Sequence, residues 1–171
     1  MCPQVTTNAA PSTPTQDSPS NNAIDLSTTP TFTMTSTDSN SDNLGYKVTI
    51  YSNSGCSAVV QTNDQAVSST GWSGQNTSCT NNPTSCFTSG TQGTYVTQTP
   101  LSAGTDYWWK ASAKDPDGSA TFTDSSTCNK FSTEAAPVVS GTIFNDEGVT
   151  QDTTGGRILK LRVATGTPGI F

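Results

Sequence analysis

The chain has 171 residues, a net charge of −6, no histidine and only 30% apolar residues, compared with about 45–50% in ordinary globular chains. Without imidazole, Ser-His-Asp and Cys-His catalysis and histidine metal ligation are excluded. Seven Lys and Arg in an acidic chain cannot form the basic stripe that a nucleic acid or an anionic membrane requires, so we expect neither partner.

The remaining composition predicts an all-β protein. Ser and Thr together make up roughly a third of the residues, and Thr favours pleated, half-solvated surfaces. Helix-forming Glu and Leu are scarce, while ten Pro and fourteen Gly interrupt the chain every few residues. Three Trp, four Tyr and six Phe supply a modest core, so disorder is not expected.

Cysteine usage indicates an oxidising compartment. Five cysteines occur at irregular spacings without a CxxC motif, which favours disulfides over a zinc site: Cys2, Cys56, Cys79, Cys86 and Cys128. A Ser/Thr-rich chain with disulfides is typical of an extracellular or cell-surface protein. No apolar stretch approaches the ~18 residues of a membrane span, so we expect no membrane insertion. Met1 does not open a signal peptide, and an export signal is expected to be removed or to lie outside this fragment.

In chain order, residues 1–17 have the polar composition of an extended linker. Period-two alternation then predicts successive strands. Their apolar positions are Phe32 and Met34, then Leu44, Tyr46, Val48 and Ile50, then Val59 and Val60, then Tyr95 and Val96, and finally Tyr107, Trp109, Ala111 and Ala113. The turn at 115–118 returns the chain through Phe122 and Phe131.

Two segments depart from this pattern. Residues 66–94 lack periodicity and contain two cysteines, and loops of this length are functional or separately stapled. Residues 137–171 predict one β-hairpin in which Ile158–Val163 alternates apolar and basic residues. Because a lone hairpin is marginal in water, we expect it to begin a second immunoglobulin-like domain or to donate a strand to a neighbour.

Leu101, Gly104 and Tyr107 match the L-x-x-G-T-x-Y pattern that opens strand F of fibronectin type III domains, where the Tyr hydroxyl bonds backbone upstream. The T-P-T-F entry at 29–32 and the hairpin at 113–119 also fit. Residues 18–136 therefore resemble a fibronectin type III-like module of repetitive bacterial surface proteins. The cysteine-bearing insertion at 66–94 departs from that family.

The resemblance implies an antiparallel, immunoglobulin-like β-sandwich with Trp109 among its structural residues. It also favours the disulfides Cys56–Cys128 and Cys79–Cys86, with Cys2 free or joined to another chain. Four cysteines allow three pairings, and the residues alone do not choose among them.

The implied topology gathers Asp38, Asp42, Asp115 and Asp117 at one end of the sandwich. Their carboxylates could bind calcium, which takes hard oxygen ligands from adjacent loops. The alternative is turn chemistry, since Asp caps its own backbone in such loops. No other cofactor is expected.

Aromatic residues of the insertion suggest a carbohydrate site. Trp72 and Phe87 could form a platform for a sugar ring, with Gln75 bonding its hydroxyls. The alternative is that they form the insertion's own small core.

These features predict a non-enzymatic extracellular structural or adhesive module of a surface protein or filament. We expect its partners to be copies of itself or neighbouring repeats, assembled head-to-tail through the C-terminal hairpin by β-augmentation. The competing hypothesis is a carbohydrate-binding module that uses residues 66–94 to bind surface glycans. Enzymatic use of paired carboxylates is disfavoured because the only two Glu, Glu134 and Glu147, flank the tail linker.

Overall fold

The computed structural model describes residues 7–137, which form twelve β-strands and no helix. The chain divides into two units, Met1–Pro137 and Val138–Phe171. The second unit, and with it the hairpin predicted for residues 137–171, lies outside the described residues. The all-β prediction is confirmed for the part of the chain that is described.

Most of the strands form two sheets. In spatial order the first contains β1 (Thr15–Ser18), β3 (Thr31–Thr35), β9 (Gly93–Val96) and β6 (Trp72–Ser73). The second contains β2 (Ala23–Leu26), β12 (Asn129–Thr133), β10 (Asp106–Lys114), β4 (Gly45–Tyr51) and β5 (Val59–Asp64), with β11 (Thr123–Asp124) also beside β10. β7 (Thr77–Ser78) and β8 (Ser85–Cys86) form a separate ribbon. Pairing is antiparallel except between β2 and β12.

Alternation along the strands directs one face of each sheet into a shared core. Phe32 of β3 packs its ring 5.0 Å from Trp109 of β10 and 5.6 Å from Phe131 of β12. All three residues are fully buried. Because aromatic side chains from both sheets meet there, the two sheets pack face to face as a β-sandwich.

A tyrosine corner fixes the entry to β10. The backbone N–H of Ser102 donates to the Tyr107 hydroxyl at 3.0 Å. Gly104 adopts a φ of +60°, a conformation that glycine accepts without a Cβ penalty, and its N–H donates to the Glu134 carbonyl at 2.7 Å. Leu101 is buried beneath the turn.

Residues 7–17 are not the linker that composition predicts. Thr15 pairs with Thr35 in register, and the Asp17 carboxylate accepts hydrogen bonds from the Thr35 hydroxyl at 2.6 Å and the Gln92 amide at 2.9 Å. Ser12 donates its backbone N–H to the Thr37 carbonyl. Hydrogen bonds and the burial of Pro11 and Pro14 hold this segment to the sandwich. Because two isolated prolines make no alternating apolar pattern, hydrophobic patterning could not reveal the segment.

The insertion at 66–94 belongs partly to the sandwich. Trp72 extends the first sheet by pairing with Tyr95 of β9. Phe87 is fully buried, with its ring 4.9 Å from that of Tyr46 in β4. The segment between them, including the β7–β8 ribbon, contains the short disulfide.

Two disulfides brace the unit. Cys56 and Cys128 are 72 positions apart, with their Cα atoms at 6.1 Å, and Cys79 bonds to Cys86. These are the pairings that the resemblance favoured, whereas Cys2 lies outside the described residues. Disulfides indicate an oxidising, non-cytoplasmic location. Within residues 7–137, no helix has the length and apolarity to cross a membrane.

Candidate binding groove

A groove of about 320 Å³ is lined by residues of β5 and β6, each of which is an end strand of its own sheet within residues 7–137. β5, β6, β9 and the connecting segments all contribute to its walls. The lining residues are Thr62, Asn63, Asp64, Val67, Ser68, Thr70, Trp72, Tyr95, Gln98 and Thr99. We call this the β5–β6 groove.

Two aromatic side chains form its inner wall. The rings of Trp72 and Tyr95 are 5.0 Å apart and tilted by 42°, a favourable geometry for an aromatic pair. The Tyr95 hydroxyl donates to the Asn63 side-chain oxygen at 2.8 Å, which ties β9 to β5 across the two sheets. Burial raises the pKa of Tyr95 above its ordinary value, so the hydroxyl stays protonated and remains a donor at neutral pH.

A glycine sets the position of Trp72. Gly71 adopts a φ of +83°, and a Cβ there would lie 2.6 Å from the Val96 carbonyl oxygen and 2.9 Å from the Tyr95 ring. The Val96 N–H donates to the Gly71 carbonyl at 2.9 Å. Only glycine permits this close approach. The chain therefore enters β6 directly beside β9.

The groove contains two buried donors without an acceptor. Trp72 Nε1 and Asn63 Nδ2 have no hydrogen-bond partner within residues 7–137. An indole nitrogen can only donate. A buried donor left unsatisfied costs about 1–3 kcal/mol. Both atoms are inaccessible to solvent, so they belong to the packed interior behind the groove and not to its open surface.

The rim is polar and carries one charge. Asp64 is the one charged residue of the lining set, and its Oδ1 accepts the Ala66 N–H at 2.8 Å. Threonine and serine hydroxyls surround it, and Val67 is 85% exposed beside them. This arrangement can bind a polar, uncharged ligand, and it lacks a second carboxylate for acid–base chemistry.

The sugar platform predicted from Trp72, Gln75 and Phe87 is not formed. Trp72 lines the groove, but Gln75 does not, and Phe87 is fully buried against Tyr46. Asn63 and Tyr95, and not Gln75 and Phe87, line the groove together with Trp72. Tyr95 was identified in the sequence only as a strand residue, and no sequence signal singled out Asn63.

The four predicted calcium ligands do share one end of the unit. Desolvation, followed by the charges of Asp115, Asp38 and Asp117, raises the pKa of Asp42 above its ordinary 3.8. The geometry agrees, because the Asn8 amide donates to Asp42 at 2.9 Å and lies with the Asp115 carboxylate against Gly118.

Their carboxylates serve turns instead of a metal. Asp115 accepts the N–H groups of Asp117 and Gly118. Asp117 accepts those of Thr80 and Asn81 at 3.0 and 2.7 Å. Across residues 7–137 no three acidic or cysteine side chains are placed to hold a metal ion together. The predicted four-aspartate calcium site is therefore not formed. The alternative, turn chemistry, describes Asp38 and Asp115, whose carboxylates accept N–H groups two or three positions on, whereas Asp117 bonds the insertion and Asp42 accepts from the Asn8 amide.

No protein-family model, curated protein or solved structure matches this chain. The chemistry of its own residues is therefore the basis for assigning a function.

Proposed function

We propose that this chain is a non-enzymatic, fibronectin type III-like module that serves a structural or adhesive role in an extracellular surface protein or filament. Two disulfides within one small unit support a location outside the reducing cytosol. Neighbouring repeats or further copies of the chain are its proposed partners.

The strand order supports the family proposal. β1, β3 and β9 lie in the order of strands A, B and E of an immunoglobulin-like sandwich, and β12, β10 and β4 lie in the order of strands G, F and C. The hydrogen bond between Ser102 and Tyr107 fits the tyrosine corner that the family places at the E–F crossover.

The observation that carries the proposed assembly is the open edge of β5. This strand is outermost in its sheet within the described residues, and its Val59 and Val60 are 58% and 43% exposed. An exposed edge strand is a template for pairing with another chain. Head-to-tail addition of a strand at such an edge would build a filament.

The proposed strand donor is Ile158–Val163 of a second copy, which has the period-two alternation of a strand. Arg157, Lys160 and Arg162 give the donor segment 157–163 three basic residues and no acidic one, while Asp146, Glu147 and Asp152 precede it in the tail. Residues 1–137 carry ten Asp and Glu against four Lys. The opposite charges would favour encounter between copies at low salt.

Sedimentation velocity of the full chain across a concentration series tests the assembly. We expect larger species to grow with concentration, and we expect Val60→Lys in β5 and Leu161→Lys in the tail each to suppress them, since an edge lysine blocks strand pairing. Val67→Lys is the matched control, because it adds the same charge at an exposed valine outside the strand. A monomer at every concentration, or equal suppression by Val67→Lys, would overturn the assembly.

A further inference from the structure

We propose that the outer face of the second sheet binds a polyuronate, a linear polysaccharide with one carboxylate on each sugar. The face is formed by outward side chains of β4, β10 and β12, and it does not use the open edge of β5 on which the proposed assembly depends. The inference names a ligand for the adhesive role, and it rests on the proposed function only in that an extracellular module meets extracellular polymers.

All four lysines of residues 7–137 lie on this face. Alternation turns them outward, because their neighbours along each strand belong to the buried core. The strand register places one lysine at each of four successive levels along β10, about 7 Å apart. In order of level, they are Lys130 (opposite Trp108), Lys110, Lys47 (opposite Ser112) and Lys114. We call this array the lysine face.

Three of these lysines have an ammonium group that no acidic side chain within residues 7–137 neutralises. Lys130 forms the one ion pair of those residues, with Asp106 at 2.6 Å. The Nζ atoms of Lys47, Lys110 and Lys114 make no hydrogen bond there, and none of them is a buried atom without a partner, so all three reach solvent. Residues 1–137 carry ten Asp and Glu against four Lys. Unpaired lysines in so acidic a unit leave positive charge available for a partner.

An aromatic ring holds two of the ammonium groups in place. Lys47 Nζ lies 4.1 Å from the centroid of the Phe122 ring, and Lys114 Nζ lies 5.2 Å from it. Cation–π attraction operates within about 6 Å of the ring centroid. Two flexible side chains are thereby held beside one ring without being neutralised, which reduces the conformational entropy lost when an anion binds. An anion at this point meets two positive charges at once.

The acidic residues beside the face do not cancel its charge. Asp64 lies opposite Lys47 in the register, but one of its oxygens accepts the Ala66 N–H. Asp124 lies opposite Ser112 and accepts its hydroxyl at 2.6 Å. With Asp106, the face has three Asp against four Lys, in a chain of net charge −6. It therefore suits a polymer of low charge density, such as one with a single carboxylate per sugar, better than DNA, which carries one charge per ~1.7 Å, or a multiply sulfated glycan.

The face presents side chains and no free strand edge along β10, which favours a polysaccharide over an acidic peptide. β10 pairs with β4 on one side and with β12 and β11 on the other. A peptide laid across it would bury its own N–H and C=O groups without main-chain partners, a cost that recognition at a sheet edge avoids. A polyuronate has no amides to satisfy. The half-buried rings of Trp108 and Tyr51, opposite one another in the register, add apolar surface beside the lysines for the C–H faces of sugar rings.

Calorimetric titration of the full chain in EDTA tests this proposal. The probe is polygalacturonate, and its methyl ester is the neutral counterpart with the same sugar backbone. EDTA prevents calcium from bridging carboxylates of the polymer and the protein. We expect polygalacturonate to bind with an affinity that falls as the salt concentration rises, and the methyl ester not to bind.

Two variants separate this site from general attraction between charges. Lys47→Gln with Lys114→Gln removes the two charges beside Phe122 and should weaken the affinity about tenfold, as expected for the loss of two exposed ion pairs. Phe122→Leu keeps every charge but removes the ring that holds them, and it should weaken the affinity about threefold. The matched control is Arg157→Gln with Arg162→Gln, which makes the same change of net charge in the second unit and should leave the affinity unchanged.

The proposal would be overturned if polygalacturonate did not bind, if its methyl ester bound equally well, or if the arginine control weakened binding as much as the lysine variant. Tighter binding of poly-L-glutamate, dextran sulfate or duplex DNA than of polygalacturonate would also overturn it, because the ligand would then be an acidic protein, a sulfated polymer or a nucleic acid. The sedimentation behaviour of the lysine variant should match wild type, since the edge of β5 and the tail are unchanged. A failure here is therefore distinguishable from a failure of assembly.

Discussion

Removing the long disulfide should cost this unit a large part of its stability. The bond between Cys56 and Cys128 closes a loop of 72 positions. In the chain-entropy model, cross-linking a loop of that length lowers the entropy of the unfolded chain enough to stabilise the fold by about 4 kcal/mol. Both cysteines are half-buried, so Cys56→Ser with Cys128→Ser sacrifices little packing. We therefore expect nearly the whole loss to arise in the unfolded state.

Urea unfolding followed by tryptophan fluorescence measures this loss, with Cys2→Ser in every variant to prevent disulfide exchange. We expect the free energy of unfolding to fall by about 4 kcal/mol and the m-value to rise, because the unfolded chain without the cross-link exposes more surface.

The matched control is the short disulfide. Cys79 and Cys86 are only 7 positions apart, so their loop contributes about 2 kcal/mol and its removal should leave the m-value nearly unchanged. The two cysteines are themselves buried, and their replacement by Ala adds a packing cost that acts on the folded state. Equal changes in m-value for the two pairs, or a loss below about 1 kcal/mol for the long one, would refute the loop-closure reasoning.

Three further predictions concern single interactions. Tyr107→Phe removes the acceptor of the Ser102 N–H and should destabilise the unit by about 1 kcal/mol in the same urea assay; an unchanged midpoint would contradict a structural role for the tyrosine corner. For Asp17, burial alone would raise the pKa, but hydrogen bonds from Thr35, Gln92 and Thr15 hold it below 3.8. The contribution of Asp17 to the free energy of unfolding is therefore present above pH 3.8 and is lost as the pH falls through the lower pKa of the folded state. In a pH series, Asp17→Asn should lose less stability in acid than the wild type does. An identical pH dependence of stability in the two proteins would contradict this. Backbone N–H groups already occupy both oxygens of Asp117 and Oδ1 of Asp115, so exchanging EDTA for calcium should leave the Tm unchanged. A rise would mean that the buried, unpartnered Oδ2 atoms of Asp38 and Asp115 complete a cation site.

Sequence periodicity identified the strands whose core contacts alternate over several residues. Tyr107, Trp109, Ala111 and Ala113 recur at every second position, and all four are buried along β10. A run of this length constrains one face of a strand to the core, and the position of the strand follows directly from the pattern.

The short strands of the insertion gave no such signal. β6 contains only two residues, so alternation cannot be detected there, and Trp72 is buried because it pairs with β9 more than twenty positions later in the chain. Its pairing partner Tyr95 cannot be inferred from neighbours in the sequence. Phe87 is likewise buried by Tyr46, which belongs to a distant strand.

The groove was only partly foreseeable. Trp72 is a candidate from its residue type, but neither its position at the groove nor the lack of an acceptor for Nε1 within residues 7–137 can be deduced from the sequence. Whether a buried donor finds an acceptor depends on the three-dimensional positions of its neighbours, which the composition does not reveal. The same holds for Asn63, whose role follows from the orientation that the Tyr95 hydroxyl imposes on its amide.

The redox state of the cysteines in protein isolated from its native source tests the central proposal, an exported structural module, most directly. Thiol alkylation before and after reduction, followed by intact mass spectrometry, counts the bonded cysteines. We predict that Cys56, Cys128, Cys79 and Cys86 react only after reduction, as expected for the two disulfides. Full alkylation of all four without reductant would contradict an extracellular module and with it the proposed function.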